Sequence, residues 1–185
     1  MAKIIMAWSK CKIEIGQTGA NDTMAETLSD IGVILNQSSS LEAEAGDTLQ
    51  AIATGGEVVA EEAQEGTLRL ETTLIEPTDT LLSLLGIGTT ADNETTVNTH
   101  IVDGDWSVKV TPKNIGAKGI AAPKCSITYT PSWDEEHGNQ LTLTFNIHKT
   151  TEANPNYWYK RFTTSWAFGV GLRPQNYKKI SFKTI

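Results

Sequence analysis

The sequence predicts an all-β fold with one short helix, in the form of an antiparallel β-sandwich or barrel. Short segments in which apolar and polar residues alternate recur along the chain, and turn-forming residues separate them. The Thr content is high, which favours strands. Only one stretch has convincing helical spacing. Many short strands need stacking or closure to hide their edges, so a sandwich or a barrel is expected.

The most informative stretch is 66–86. Between Thr67 and Ile75, apolar and polar residues alternate as in a strand with one buried face. Pro77 ends that strand and begins a short helix. The spacing i, i+3, i+4 predicts that three leucines of this helix pack on the sheet as a plug: Leu81, Leu84 and Leu85. Gly86 suits the left-handed position that ends a helix.

Alternation predicts further strands at 10–15, 31–35, 106–111, 124–130, 140–148, 162–168 and 179–183. The clearest pair is 124–130 with 140–148, joined as a hairpin. One face of this hairpin is apolar (Cys125, Ile127, Tyr129, Leu141, Leu143, Phe145, Ile147). Its other face is polar (Ser126, Thr128, Thr130, Thr142, Thr144, Asn146). Segments 87–105 and 114–123 are predicted to be loops.

A long arm loop is predicted at about 43–66, within a single domain that covers 1–185. The arm holds small residues, acids and few large apolar groups. It is either an ordinary hairpin turning at Gly55 and Gly56 or an extended arm that becomes ordered only against a partner. If it meets another subunit, the contact residues are expected to be Leu49, Ile52, Gly55, Gly56, Val58 and Val59.

The formal net charge of −7 argues against tight nucleic-acid binding, because neutralising phosphates supplies most of that affinity. Acids dominate 41–94, where Arg69 is the one base, and bases dominate after Phe145. No apolar run is long enough for a signal peptide or a membrane span. Cys11 and Cys125 are expected to be buried free thiols, in a protein that folds in a reducing cytoplasm.

No catalytic, cofactor or metal site is predicted, and the chain is not expected to be an enzyme. His100, His137 and His148 share no metal-ligand spacing, and nucleotide and nucleophile motifs are absent. Asp103-Gly104-Asp105 and the acidic segment 134–137 are predicted to be turns. Trp106 and Trp166 are expected in the core. Trp8, Trp133 and Trp158 are the candidates for an exposed sugar-binding surface.

The order of these elements resembles the major tail protein (tail tube) family of long-tailed bacteriophages, which is similar in fold to the tube proteins of contractile injection systems. The most specific part is the run Gly-x-Leu-x-Leu … Leu-Ile-Glu-Pro-x-x-x-Leu-Leu-x-Leu-Leu-Gly at 66–86, preceded by the weakly apolar arm. Segments 87–105 and 157–159 depart from the family pattern.

The resemblance implies a structural virion protein, assembled in the bacterial host cytoplasm. Six-membered rings would stack into a tube, with the strands of all subunits joined in one inner barrel. It implies as partners other copies of the chain and the tape-measure and tail-terminator proteins, with DNA passing through unbound and no membrane anchoring. Thr- and Ser-rich strand faces suit a water-filled lumen. The alternative is a carbohydrate- or cell-surface-binding β-sandwich of the adhesin or tail-fibre type.

Overall fold

The structure is a computed structural model that describes residues 11–91, 94–97, 102–152 and 155–164. Its helix α1 covers Asp79–Leu84. Its strands are β1 Cys11–Gln17, β2 Ser29–Asp30, β3 Ser40–Glu44, β4 Thr48–Ile52, β5 Val58–Ala63, β6 Thr67–Ile75, β7 Gly88–Ala91, β8 Glu94–Val97, β9 Val102–Pro112, β10 Lys118–Asp134, β11 Gly138–Ile147 and β12 Lys160–Thr163. The fold is therefore all-β with one short helix, as predicted.

The main sheet is antiparallel, in the order β2-β1-β9-β10-β11-β6-β3, and β12 also pairs with β10. Strand β10 belongs to two parts of this sheet. Its first residues pair with β12 and β9, and its residues from Cys125 onward pair with β11. The pairing of β10 with β9 shifts register after Ala122. Within the described residues β2 and β3 do not pair with each other, so the sheet does not close into a barrel.

The core lies on one face of the strands that the sequence identified most clearly. The predicted hairpin is confirmed, and its register places Cys125 opposite Ile147, Ile127 opposite Phe145 and Tyr129 opposite Leu143. Strand β6 continues the sheet beside β11 and buries Leu68, Leu70, Thr72 and Leu74. Trp106 is buried as predicted, whereas Trp166 lies outside the described residues.

The helix packs differently from the prediction for one of its leucines. Leu81 and Leu85 are buried, but Leu84 is 37% exposed and Leu82, at 5%, is buried in its place. The reason is strand β7, which lies within the segment predicted to be a loop, 87–105. Its Gly88 lies so close that an added Cβ would be 2.7 Å from the Cβ of Leu82. The positive φ of Gly86 (69°) agrees with its predicted role after the helix.

Three other sequence predictions are corrected. Segment 31–35 is not a strand, because Gly32 has φ of 104° and only Ile34 forms an isolated bridge, with Leu74. Strands β7 and β8 form a hairpin within the predicted loop 87–105. Strand β10 begins inside the predicted loop 114–123. Its Gly119 is needed for packing, since a Cβ there would be 2.4 Å from Cζ of Phe162. The predicted strand 179–183 lies outside the described residues.

Candidate assembly surface

The arm, residues 43–66, contains a hairpin of its own. Strands β4 and β5 pair antiparallel, from Thr48 opposite Ala63 to Ile52 opposite Val58. The prediction of an arm loop is therefore corrected to a two-stranded arm. The alternative of a hairpin turning at Gly55 and Gly56 agrees with the structure, since both glycines have positive φ (123° and 89°). Among the described strands, β4 and β5 pair only with each other.

The arm leaves its apolar side chains in solvent. Every residue of β4 and β5 is exposed, including four large apolar ones: Leu49, Ile52, Val58 and Val59. These are the side chains that the sequence proposed as subunit contacts. An isolated two-stranded hairpin is marginally stable in water. Exposed apolar groups clustered on such a hairpin are typical of an interaction site.

The base of the arm is tightly constructed. Two segments of the chain approach closely at Gly46 and Gly66, where an added Cβ would overlap the carbonyl oxygens of Gln64 and Glu44 respectively. Lys149, which follows β11, has its Nζ 2.6 Å from Glu65 Oε1. This ion pair ties the base of the arm to the end of β11. The arm is thus connected to the sheet through a close backbone approach that leaves no room for a side chain at either glycine.

The arm extends from one end of a four-stranded half-sheet, which consists of β10 from Cys125 onward, β11, β6 and β3. The face of this half-sheet opposite the core is polar. Cross-strand pairing arranges its side chains in rows: Ser126, Asn146, Arg69 and Glu42; Thr128, Thr144, Glu71 and Ser40; Thr130, Thr142 and Thr73. All of these are exposed or half-buried. The hydroxyls of Thr73 and Thr142 lie 3.0 Å apart.

Among the described residues, the carboxylates and histidines that were candidates for a catalytic or metal site lie in turns, in strands or on the surface. Backbone N–H groups of His137 and Glu136 donate to Asp134, which lowers the pKa of that carboxyl and forms the predicted turn. Asp103, Gly104 and Asp105 lie within β9, so the predicted turn there is wrong. His148 is exposed, with Nε2 3.0 Å from Ser126 Oγ. His100 lies outside the described residues. In the described part of the chain, no group of three or more His, Cys, Asp or Glu could hold a metal ion.

A buried carboxylate that the sequence pattern does not indicate fixes the first loop. Asp22 accepts hydrogen bonds from the backbone N–H of Thr151 (2.7 Å) and from Lys124 Nζ (3.0 Å). The Thr151 N–H, followed by Lys124, holds the pKa of Asp22 well below its ordinary value. Both partners are over 100 residues away in sequence, and loop composition alone gives no signal for such a contact.

The thiols and exposed tryptophans only partly match the predictions. Both cysteines are free, but Cys125 alone is buried, and burial raises the pKa of its thiol; Cys11 is half-buried. Trp133, near the β10–β11 turn, is 67% exposed. Trp158 instead packs partly against the core. Trp8 lies outside the described residues.

Comparison with the sequence models of known protein families finds no match, and no curated protein sequence matches the chain. No helix among the described residues is long and apolar enough to cross a membrane.

Proposed function

We propose that this chain is the structural subunit of a phage tail tube, which forms rings that stack into a conduit for DNA. The observation that carries the proposal is the combination of two surfaces on one chain, the main sheet and the separate hairpin of the arm. The four-stranded half-sheet has an uncovered polar face, and at one end it continues into an arm with exposed apolar residues. The polar face would line the lumen, and the arm would contact the next ring.

The polar face has the chemistry that a DNA conduit needs. Its hydroxyl and amide side chains are compatible with a water-filled channel, as in wide barrels whose interior is polar. Glu42 and Glu71 outnumber the single cation, Arg69. An acidic wall repels phosphate and releases no counterions, so DNA passes without binding. The tape-measure protein would occupy the same lumen, and a terminator protein would cap the tube.

Charges on the arm favour contact with a second copy. Asp47, Glu57, Glu61 and Glu62 form no ion pair with any described residue. In the part of the sheet formed by β9, β12 and the start of β10, Lys109 of β9 and Lys160 of β12 are both paired with Ala121 of β10. The two lysines therefore lie on the same face of the sheet. Unlike surfaces on one chain can meet head to tail, and such heterologous contacts continue into rings or filaments.

The alternative, a carbohydrate- or cell-surface-binding sandwich, now depends on Trp133 among the described residues. Trp158, the other described candidate, is partly packed against the core. One aromatic ring on a hairpin tip is a smaller platform than sugar stacking normally uses, and the arm has no role in this alternative. A screen against immobilised glycans separates the two functions, because a tube subunit is expected to bind none.

The test compares two exposed valines. Val59 on the arm and Val33 on the main body are 63% and 67% exposed, so Val59→Ser and Val33→Ser have similar effects on the monomer. Val59→Ser is expected to prevent assembly, as measured by sedimentation velocity at increasing concentration, while Val33→Ser assembles like wild type. Amides of 46–66 should exchange rapidly in monomer and slowly in assemblies. Slow exchange of these amides in a demonstrated monomer contradicts the proposed role of the arm.

A further inference from the structure

Two strand edges at the sides of the four-stranded half-sheet have no strand partner among the described residues. One is the outer edge of β3, Ser40–Glu44, since β3 pairs only with β6. The other is the 130–134 edge of β10, opposite β11. Described pairing of β10 with β9 ends at Ile127, before this segment. Unpaired edges with free N–H and C=O groups are the places where a sheet can accept another chain.

The directions of the two edges are compatible with pairing between copies. Each neighbouring pair in the half-sheet is antiparallel, so the strands alternate in direction across β10, β11, β6 and β3. With four strands, β3 runs opposite to β10. When a second copy in the same orientation is set beside the first, its β10 is therefore antiparallel to the β3 edge of the first copy.

The positions of the edges along the strands fit a ring. Glu42, the centre of β3, lies in the row of Ser126, whereas the centre of the open β10 edge is Ser132, six residues further on. Six residues are about 20 Å along a strand, and four strand spacings are about 19 Å across the sheet. This stagger gives a strand tilt of about 45°, at the upper end of the range for closed barrels.

Side-chain exposure independently selects the same register. With Glu42 opposite Ser132, both polar side chains continue the polar face, and Leu41 comes opposite Trp133 on the core side. Leu41 and Trp133 are 38% and 67% exposed in the isolated chain. Each would cover the other. Pro131 donates no N–H to a ladder, so pairing at this edge depends on side-chain fit as well as on backbone hydrogen bonds.

We propose that β3 of one copy pairs with residues 130–134 of β10 in a neighbouring copy, in the register that places Glu42 opposite Ser132 and Leu41 against Trp133. The inference rests on the proposed function for the closing of the ring. It adds the two edges, their register and the apolar contact that holds neighbouring subunits together. The partner surface is a second copy of this chain.

Cysteine cross-linking tests the register. Residues directly opposite in an antiparallel pair have Cα atoms about 4.5–5.5 Å apart, within disulfide range. Within one chain, Glu42 and Ser132 are separated by two intervening strands, so Glu42→Cys with Ser132→Cys can react only between copies. Mild oxidation is expected to give a ladder of reducible oligomers that ends at a closed ring. Glu42→Cys with Thr130→Cys, two residues out of register, is the matched control and should cross-link at least about tenfold less.

A second variant does not depend on disulfide chemistry. Trp133→Ser removes an exposed side chain, so the monomer should unfold like wild type, while the concentration for half-assembly rises at least about tenfold. If the chain with Glu42→Cys and Ser132→Cys forms tubes but does not cross-link, this edge pairing is overturned and the proposed tube function is unaffected. Preferential cross-linking of the shifted pair overturns the register. If the wild-type chain does not assemble at high concentration, and the chain with Glu42→Cys and Ser132→Cys does not cross-link, both proposals are overturned.

Discussion

Two leucines on the same short helix give a matched test of how α1 is held. Leu82 and Leu84 both lie inside Asp79–Leu84, yet Leu82 is 5% exposed, beside Gly88 of β7, and Leu84 is 37% exposed. Replacing either by Ala changes helix propensity by a similar small amount. The difference between Leu82→Ala and Leu84→Ala therefore isolates burial.

The structure sets the expected magnitudes. Leu→Ala in a core costs about 2–5 kcal/mol, and the value depends on how far the site can collapse. Leu82 faces a two-stranded hairpin at the margin of the core, which can relax, so about 2–3 kcal/mol is expected for Leu82→Ala. A chain of this length loses roughly 2–4 °C per kcal/mol. The melting temperature should therefore fall by about 4–12 °C. Leu84→Ala should cost less than about 1 kcal/mol.

Thermal and urea unfolding, followed by circular dichroism at a concentration where the chain is monomeric, measure both variants. Equal destabilisation by the two substitutions would refute the packing described for α1. A larger effect of Leu84→Ala would restore the simple i, i+3, i+4 stripe that the sequence suggests.

Three other predictions concern packing, charge and partners. Gly119→Ala should destabilise the fold by about 1–3 kcal/mol in urea unfolding, because the added methyl would overlap the Phe162 ring. Asp22→Asn should lower stability at pH 7, since the depressed pKa of Asp22 means that Thr151 and Lys124 stabilise its charged form. That contribution is present above the unfolded pKa of about 4 and is lost as pH falls through the lower folded pKa. In urea unfolding, the free energies of unfolding of wild type and Asp22→Asn should therefore converge at low pH. Duplex DNA should show no shift with the protein in a gel at physiological salt, and submicromolar binding would contradict a non-adhesive lumen.

Much of the fold could be predicted because its strands have one buried and one solvated face. In β6, β10 and β11 the period-two pattern fixes which face is buried, and matching apolar faces predict that β10 and β11 pair as a hairpin. The arm was identified by its lack of large apolar residues. Its exposed valines are the ones that the sequence singled out.

The remaining features depend on contacts between residues distant in sequence. Leu82 is buried by a glycine in a hairpin whose own composition resembles a loop. Gly119 is typical of a turn by composition, but it lies in β10, where the Phe162 ring covers it. Asp22 is fixed by Lys124 and Thr151. The edges at β3 and at residues 130–134 become evident only once the strand order is known.

Negative-stain electron microscopy of the purified chain at high concentration tests the central claim most directly. The proposed function predicts rings with a central channel and tubes built from them, and both should disappear with Val59→Ser but persist with Val33→Ser. A sample of dispersed monomers at every concentration, particularly one that binds glycans through Trp133, would contradict it.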